Sequence, residues 1–561
     1  MSNKHIAIIL STFLFNITFG QSITETPHNL SISGPGAIKA TSESEICIFC
    51  HTPHRSSPRN PLWNREDQGI NYTLYNSSTL HANPGQPDGS SILCLSCHDG
   101  TIALGNILSR EEMISFSGNI MNLPSGKTNL ETDLSDDHVI SFTYSSQLSA
   151  QDGELKEPST LVNKVRLENS KLQCISCHDP HINLTNDFLV ETNEYSVLCI
   201  NCHEKDGWNN SSHKNSAQNW SGSGIDPWPN SSYSTVSQNG CENCHVPHNA
   251  EGKKRNLNYF VEENNCIVCH NGNVASTDIQ NQLTKFYKHD VNNYLNIHDP
   301  VELNTLTQMH IECIDCHNPH KANNSSAQAP FANGFIKGVK GVDTDGLSKS
   351  EIDYQYELCY RCHADSPTKP GSVTSRQIEQ NNTRLEFDIS NPSFHPVEGP
   401  GKNNNVPSLL SPYSESSYIY CTDCHASDGS NSPKGPHGSS NNQILKYNYN
   451  TIYGAVESYQ SYELCYQCHS RDVIINGTGS FSRKVHYKHI IQKNIPCNFC
   501  HDPHGISSTQ GNQTNNSHLI NFDLSEAEPL NGILQFTDNG NFSGSCYLIC
   551  HGRNHATQAF Y

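Results

Sequence analysis

Every one of the 24 cysteines in this chain belongs to a close pair, and each pair is followed at once by a histidine. In order they are Cys47/Cys50-His51, Cys94/Cys97-His98, Cys174/Cys177-His178, Cys199/Cys202-His203, Cys241/Cys244-His245 and Cys266/Cys269-His270. Then follow Cys313/Cys316-His317, Cys359/Cys362-His363, Cys421/Cys424-His425, Cys465/Cys468-His469, Cys497/Cys500-His501 and Cys546/Cys550-His551. Eleven read C-x-x-C-H, and the last, C-x-x-x-C-H, carries one extra residue between its cysteines. A disulfide framework gives no reason for that histidine, and zinc knuckles would not place one after all twelve second cysteines. With His at 31 of 561 positions, twelve matches in twelve are not chance. Two thiols and an adjacent imidazole are what a c-type haem needs, thioether bonds to its vinyl groups and a proximal ligand to its iron. The expected cofactor is therefore covalently attached heme c, twelve in all, the twelfth through the wider motif.

Iron held by one imidazole has a second axial position, and what fills it separates electron transfer from catalysis. Methionine cannot fill it generally, since beyond Met1 only Met113, Met121 and Met309 are present. Histidine can. Besides the twelve proximal residues and His5, eighteen remain. Five motifs continue as C-H-x-P-H, giving His54, His181, His248, His320 and His504, and a sixth reaches His437 through the longer loop SDGSNSPKGPHGS. All six belong to alternate motifs, so the chain reads as six tandem two-motif units. Each unit has a histidine upstream of its first motif: His28, His138, His213, His289, His395 and His486. The expectation is that the upstream His ligates the first haem of its unit and the His after Pro the second. His81, His298, His310, His489, His518 and His555 are then spare, with His298 and His310 competing with His289, and His489 with His486.

The rest of the composition fits haem as filling. Only 34% of residues are apolar and 8% aromatic, and mean hydropathy is -0.60, a thin core for a chain of 561 residues. The expected fold is mostly irregular, with short α-helices carrying the C-x-x-C-H segments and few short strands, HVISFTY among them. Tandem two-haem units wrap around a stacked haem array, with roughly 45 residues per macrocycle, too few for a separate core around each. The expected divisions are 21–130, 131–206, 207–280, 281–375, 376–475 and 476–561. Connections at 101–135, 321–350 and 505–545 read equally as ordered arms or flexible loops. Ligation and folding come together, so the apoprotein is not expected to fold stably.

A formal charge of -20 disfavours nucleic acid and anionic membrane surfaces as partners. Haem propionates would make the holoprotein more acidic still. Lys4 and His5, the mostly apolar run Ile6 to Phe19, and Thr18-Phe19-Gly20 before Gln21 read as an export signal spanning 1–20. No later stretch approaches a transmembrane span. The expected location is periplasmic, on the outer-membrane surface or extracellular.

Segments such as DHVISFTY at 137–144, HIECIDCHNPH at 310–320, PCNFCHDPHG at 496–505 and CYLICHG at 546–552 resemble the multihaem c-type cytochromes with doubled CxxCH motifs, related to the cytochrome c3-like and extracellular groups. That resemblance covers nearly all of the chain beyond residue 20 and implies a redox carrier. Its members include periplasmic carriers, outer-membrane conduits and polymerising filaments. The partners implied are redox donor and acceptor proteins or extracellular electron acceptors, with self-assembly left open. The leading expectation is an electron conduit without catalysis. A multihaem oxidoreductase acting on a small nitrogen or sulfur compound would need an open-site haem, against which the surplus of histidine argues.

Overall fold

The computed structural model describes residues 21–58, 60–67, 69–294, 297–301, 310–477, 483–556 and 558–560. The segment read as an export signal lies outside them, as does Met309. Within the described residues no helix is long and apolar enough to cross a membrane. The described residues form two compact units, one from residues up to 204 together with 246–256, the other from 205–245 and from 257 onward.

Both units are mostly irregular. Their helices are short, the longest being Gly89–His98 and Gln355–His363, and each of these ends on a motif histidine. Strands are mostly two residues long and pair in twos and threes, the hairpin of Gln535–Gly540 with Ser543–Tyr547 being the longest. The expected strand in HVISFTY is present as Phe142–Thr143, antiparallel to Lys171–Leu172.

The motifs themselves dictate the local turns. In nine of them the histidine N–H donates to the carbonyl of the first cysteine at 2.8–3.1 Å, closing one helical turn around the two thiols. Three of these turns are capped by the residue just before the second cysteine. Ser176, Asp315 and Asp423 accept from the backbone N–H of Gln173, Glu312 and Tyr420 at 3.1, 2.8 and 2.8 Å. A short polar side chain at that position satisfies an amide the helix start would leave orphaned. After five first motifs of a unit the chain returns, so that His51, His178, His245, His425 and His501 bridge Trp63, Leu189, Leu257, Leu445 and Ile520.

Buried apolar side chains among the described residues fall into seven small clusters rather than one core. Most have a motif cysteine packed against them, as Cys50 and Cys97 pack on the cluster of Ile48, Phe49, Leu104 and Phe116. Beside that cluster lies Arg65, 1% exposed, whose guanidinium donates to the carbonyls of Phe49 at 3.0 Å, Ala103 at 3.4 Å and Leu104 at 2.8 Å. Each charged hydrogen bond is worth about 1.5–3 kcal/mol, and its loss strands a buried carbonyl. Arg65→Leu is therefore expected to lower stability by roughly 2–4 kcal/mol in chemical denaturation of the holoprotein; an unchanged midpoint would contradict the role given to it.

Candidate functional site

Ten proximal histidines each face a second imidazole across 6.0–6.4 Å between ring centroids. In the first unit the pairs are His28 with His98 and His51 with His181, both 6.1 Å apart, and His138 with His203 and His178 with His248, both 6.2 Å. In the second they are His213 with His270 at 6.2 Å, His245 with His320 and His289 with His363 at 6.3 Å. His317 and His437 follow at 6.0 Å, His425 and His504 at 6.1 Å, His486 and His501 at 6.4 Å. His395 and His469 stand close enough to interact electrostatically. Two imidazoles on opposite sides of one metal ion stand roughly 6 Å apart, two metal–nitrogen bonds of about 2 Å plus the half-width of each ring. The twenty-four cysteines form no disulfides. The spacing and the thiols beside each pair fit a covalently bound, doubly ligated haem.

The pairing differs from the sequence expectation. An upstream histidine faces the second proximal histidine of its unit, not the first. The histidine after Pro faces the first proximal histidine of the preceding unit: His181 serves His51, His248 serves His178, His320 serves His245, His437 serves His317 and His504 serves His425. The H-x-P-H segment of one repeat thus lies across the repeat before it and meets both of that repeat's ring pairs, through its histidine in one and its Pro carbonyl in the other. His28, His213 and His395 bond through Nδ1 to the carbonyls of Pro180 (3.2 Å), Pro319 (2.9 Å) and Pro503. The backbone N–H of His138 donates to the Pro247 carbonyl at 2.7 Å. Strand pairs hold the same register elsewhere, Tyr287–Lys288 with Gly438–Ser439 beside His289 and His437, and Ser393–Phe394 with Gly505–Ile506 beside His395 and His504.

His54 is exposed, and among the described residues no imidazole pairs with it. In the last repeat His486 faces the first proximal histidine, His501, as the sequence scheme expected. The spare histidines divide. His81 lies 3.0 Å from Asp152, His298 2.6 Å from Glu312 and His518 3.4 Å from Asp538, while His310 stacks on Tyr294. His489 and His555 face each other. Met113 and Met121 are exposed.

Nδ1 is occupied at most of these rings, which leaves Nε2 to a metal. His98, His178, His317, His425 and His501 bond to the carbonyls of Thr128, Asp187, Phe335, Gln443 and His518 at 2.6–2.9 Å. Burial pushes the paired imidazoles toward their neutral, ligating form, His270, His363, His425, His437, His469 and His501 down to about 4 and His486 to about 3. His504 departs from this, since burial lowers it but the Glu386 carboxylate, with Asp502, outweighs burial and lifts it to about 9.

Two distal rings bond to carboxylates, His248 to Asp137 at 3.0 Å and His504 to Glu386 at 2.9 Å. An imidazole so bonded is a more basic ligand and favours the oxidised metal. Asp137→Asn is expected to raise the potential of the Cys174/Cys177 site by roughly 60 mV, a tenfold change in relative affinity. Redox titration of that site checks it, and an unchanged or lower potential would count against the argument.

The thiol pairs follow one another in chain order within each unit. Cys50 lies near Cys97, Cys94 against Cys174, and Cys177 near Cys202. In the second unit Cys244 lies near Cys269, Cys266 against Cys313, Cys316 near Cys362, and Cys359 against Cys421. Cys424 then lies near Cys465, Cys465 against Cys497, and Cys500 near Cys546 and Cys550. Sites adjacent in sequence are adjacent in space, four in one unit and eight in the other.

Comparison with known families agrees with this class of site. The family described as Doubled CXXCH motif matches residues 168–207 and 411–473, that is, motifs three and four and motifs nine and ten. No curated protein matches the chain. The doubled motifs indicate covalently bound heme c and support a multihaem c-type cytochrome.

Proposed function

We propose that this chain is a twelve-haem electron carrier, exported from the cytoplasm, whose sites are saturated by two histidines each. The observation that supports it most is the set of paired imidazoles about 6 Å apart beside successive thiol pairs. Bound haem supplies reversible one-electron chemistry, passed between neighbours without bond making at any centre. The protein's part is to hold each ring pair in place. Nδ1 bonds to backbone carbonyls fix ring orientation, burial keeps the imidazoles neutral, and the interlocked H-x-P-H segments keep consecutive sites adjacent. With both axial positions taken by imidazole, small molecules have nowhere to bind, which favours transfer over catalysis. Redox proteins or extracellular acceptors are the partners proposed, and the acidic chain favours cationic surfaces on them.

A haem count by mass, together with optical spectra in the presence of carbon monoxide and nitrite, tests the proposal. About twelve haems, all low-spin and unmoved by either ligand, are expected. A colourless protein, or a substantial high-spin fraction that binds nitrite, would overturn it.

A further inference from the structure

The twelfth motif does not fold like the other eleven. Cys546 lies in the strand Ser543–Tyr547 and Cys550 in Ile549–Cys550, which turns back at once onto Arg553–Asn554. His551 and Gly552 form that two-residue turn, with φ of 54° and 67°. The helical turn that carries the proximal histidine under the ring in the other motifs is missing here. The hairpin instead returns the chain so that the His555 N–H donates to the Leu548 carbonyl at 2.9 Å, placing His555 against the loop between the two cysteines.

The ring opposite His555 is His489, 6.5 Å away and tilted by 36°, close to the spacing of the other paired histidines. His489 bonds through Nδ1 to the Val485 carbonyl at 2.8 Å, leaving Nε2 for a metal. His551 instead stacks on Tyr453 at 4.7 Å and lies 3.8 Å from Glu526; His489 is near enough to interact with it electrostatically, but among the described residues no imidazole ring faces it at the spacing of the other pairs. In the other repeats the following repeat brings a Pro-His to the first proximal ring and the upstream histidine faces the second; here His486 faces His501, and His489, three residues on, faces His555. A π-helical turn at Tyr487–Ile491 carries His489.

We infer that the haem attached at Cys546 and Cys550 is held axially by His489 and His555, and that His551, the histidine of the motif, is not its ligand. This rests on the multihaem reading above.

The test uses the exported holoprotein and its His555→Met, His489→Met and double variants. Peptide mass of the 546–561 segment reports attachment, and low-temperature optical and magnetic circular dichroism spectra report each haem's axial ligands. Each single variant is expected to keep twelve haems and convert one from bis-imidazole to imidazole–thioether ligation, with a positive shift in its potential. The double variant is expected to alter that same single haem, leaving eleven unchanged. Twelve unaltered bis-imidazole haems in His555→Met, or two altered haems in the double variant, would overturn the inference. So would a 546–561 peptide without haem, with the other eleven motifs loaded. If no motif carries haem, it is the multihaem reading that fails.

Discussion

Replacing His181 by alanine is expected to open one site out of twelve, the one attached at Cys47 and Cys50, while replacing His54 leaves every site closed. The imidazole of His181 faces His51 at 6.1 Å with the rings tilted by only 9°. Its removal leaves that iron with one protein ligand and an open axial position, which carbon monoxide can enter. The expected result is one high-spin, carbon-monoxide-binding haem in the reduced His181→Ala protein, and none in His54→Ala. The scheme suggested by the motif spacing instead gives the Cys94/Cys97 site to His54 and the Cys199/Cys202 site to His181, so it expects one open haem in each variant and neither at Cys47/Cys50. Assigning the altered haem by its peptide distinguishes the two, and an effect of His54→Ala on the Cys94/Cys97 site would restore the local scheme.

The second large effect is with acid. Seven paired histidines stand near or below 4 through burial, against an ordinary value of 6.5. A group lowered in the folded state stays neutral there while the unfolded chain takes up a proton. Its stabilisation is full above about 6.5 and is lost as pH falls toward the folded value of about 4. Each such shift corresponds to roughly 3 kcal/mol, and a metal at Nε2 acts in the same direction because it competes with the proton. Denaturation midpoints are thus expected to fall steeply between pH 6.5 and 4, with loss of low-spin absorption in the same range. A flat profile down to pH 4 would contradict the burial of these rings as neutral ligands.

Much of the site was legible in the chain. The histidines beside the thiol pairs follow from covalent chemistry, since an attached haem needs two thiols with an imidazole close by, with the hairpin at His551 as the exception. The distal residue types were legible as well, because methionine is too scarce to serve. The upstream and post-proline histidines identified by repeat are, His54 aside, the ones the fold brings to the proximal rings. Their assignment was not legible. Nothing local in H-x-P-H says that the second histidine reaches back across the preceding repeat. That follows from strand pairs such as Ser393–Phe394 with Gly505–Ile506, formed by residues more than a hundred positions apart. His489 stood only as a competitor of His486, and His555 as a spare, because no spacing rule marks them.

From its order of residues alone this chain determined twelve thiol pairs with an imidazole next to each, the groups that covalent attachment of a haem needs close together in sequence. It also determined that the fold would be short turns and loops, because polar linkers and scarce apolar residues leave no long helix or sheet to bury. Which histidine faces which, and which sites stand next to each other, was decided by tertiary structure. A distal imidazole must approach from the far side of the ring, where its own motif cannot reach, so only packing of one repeat on another can place it.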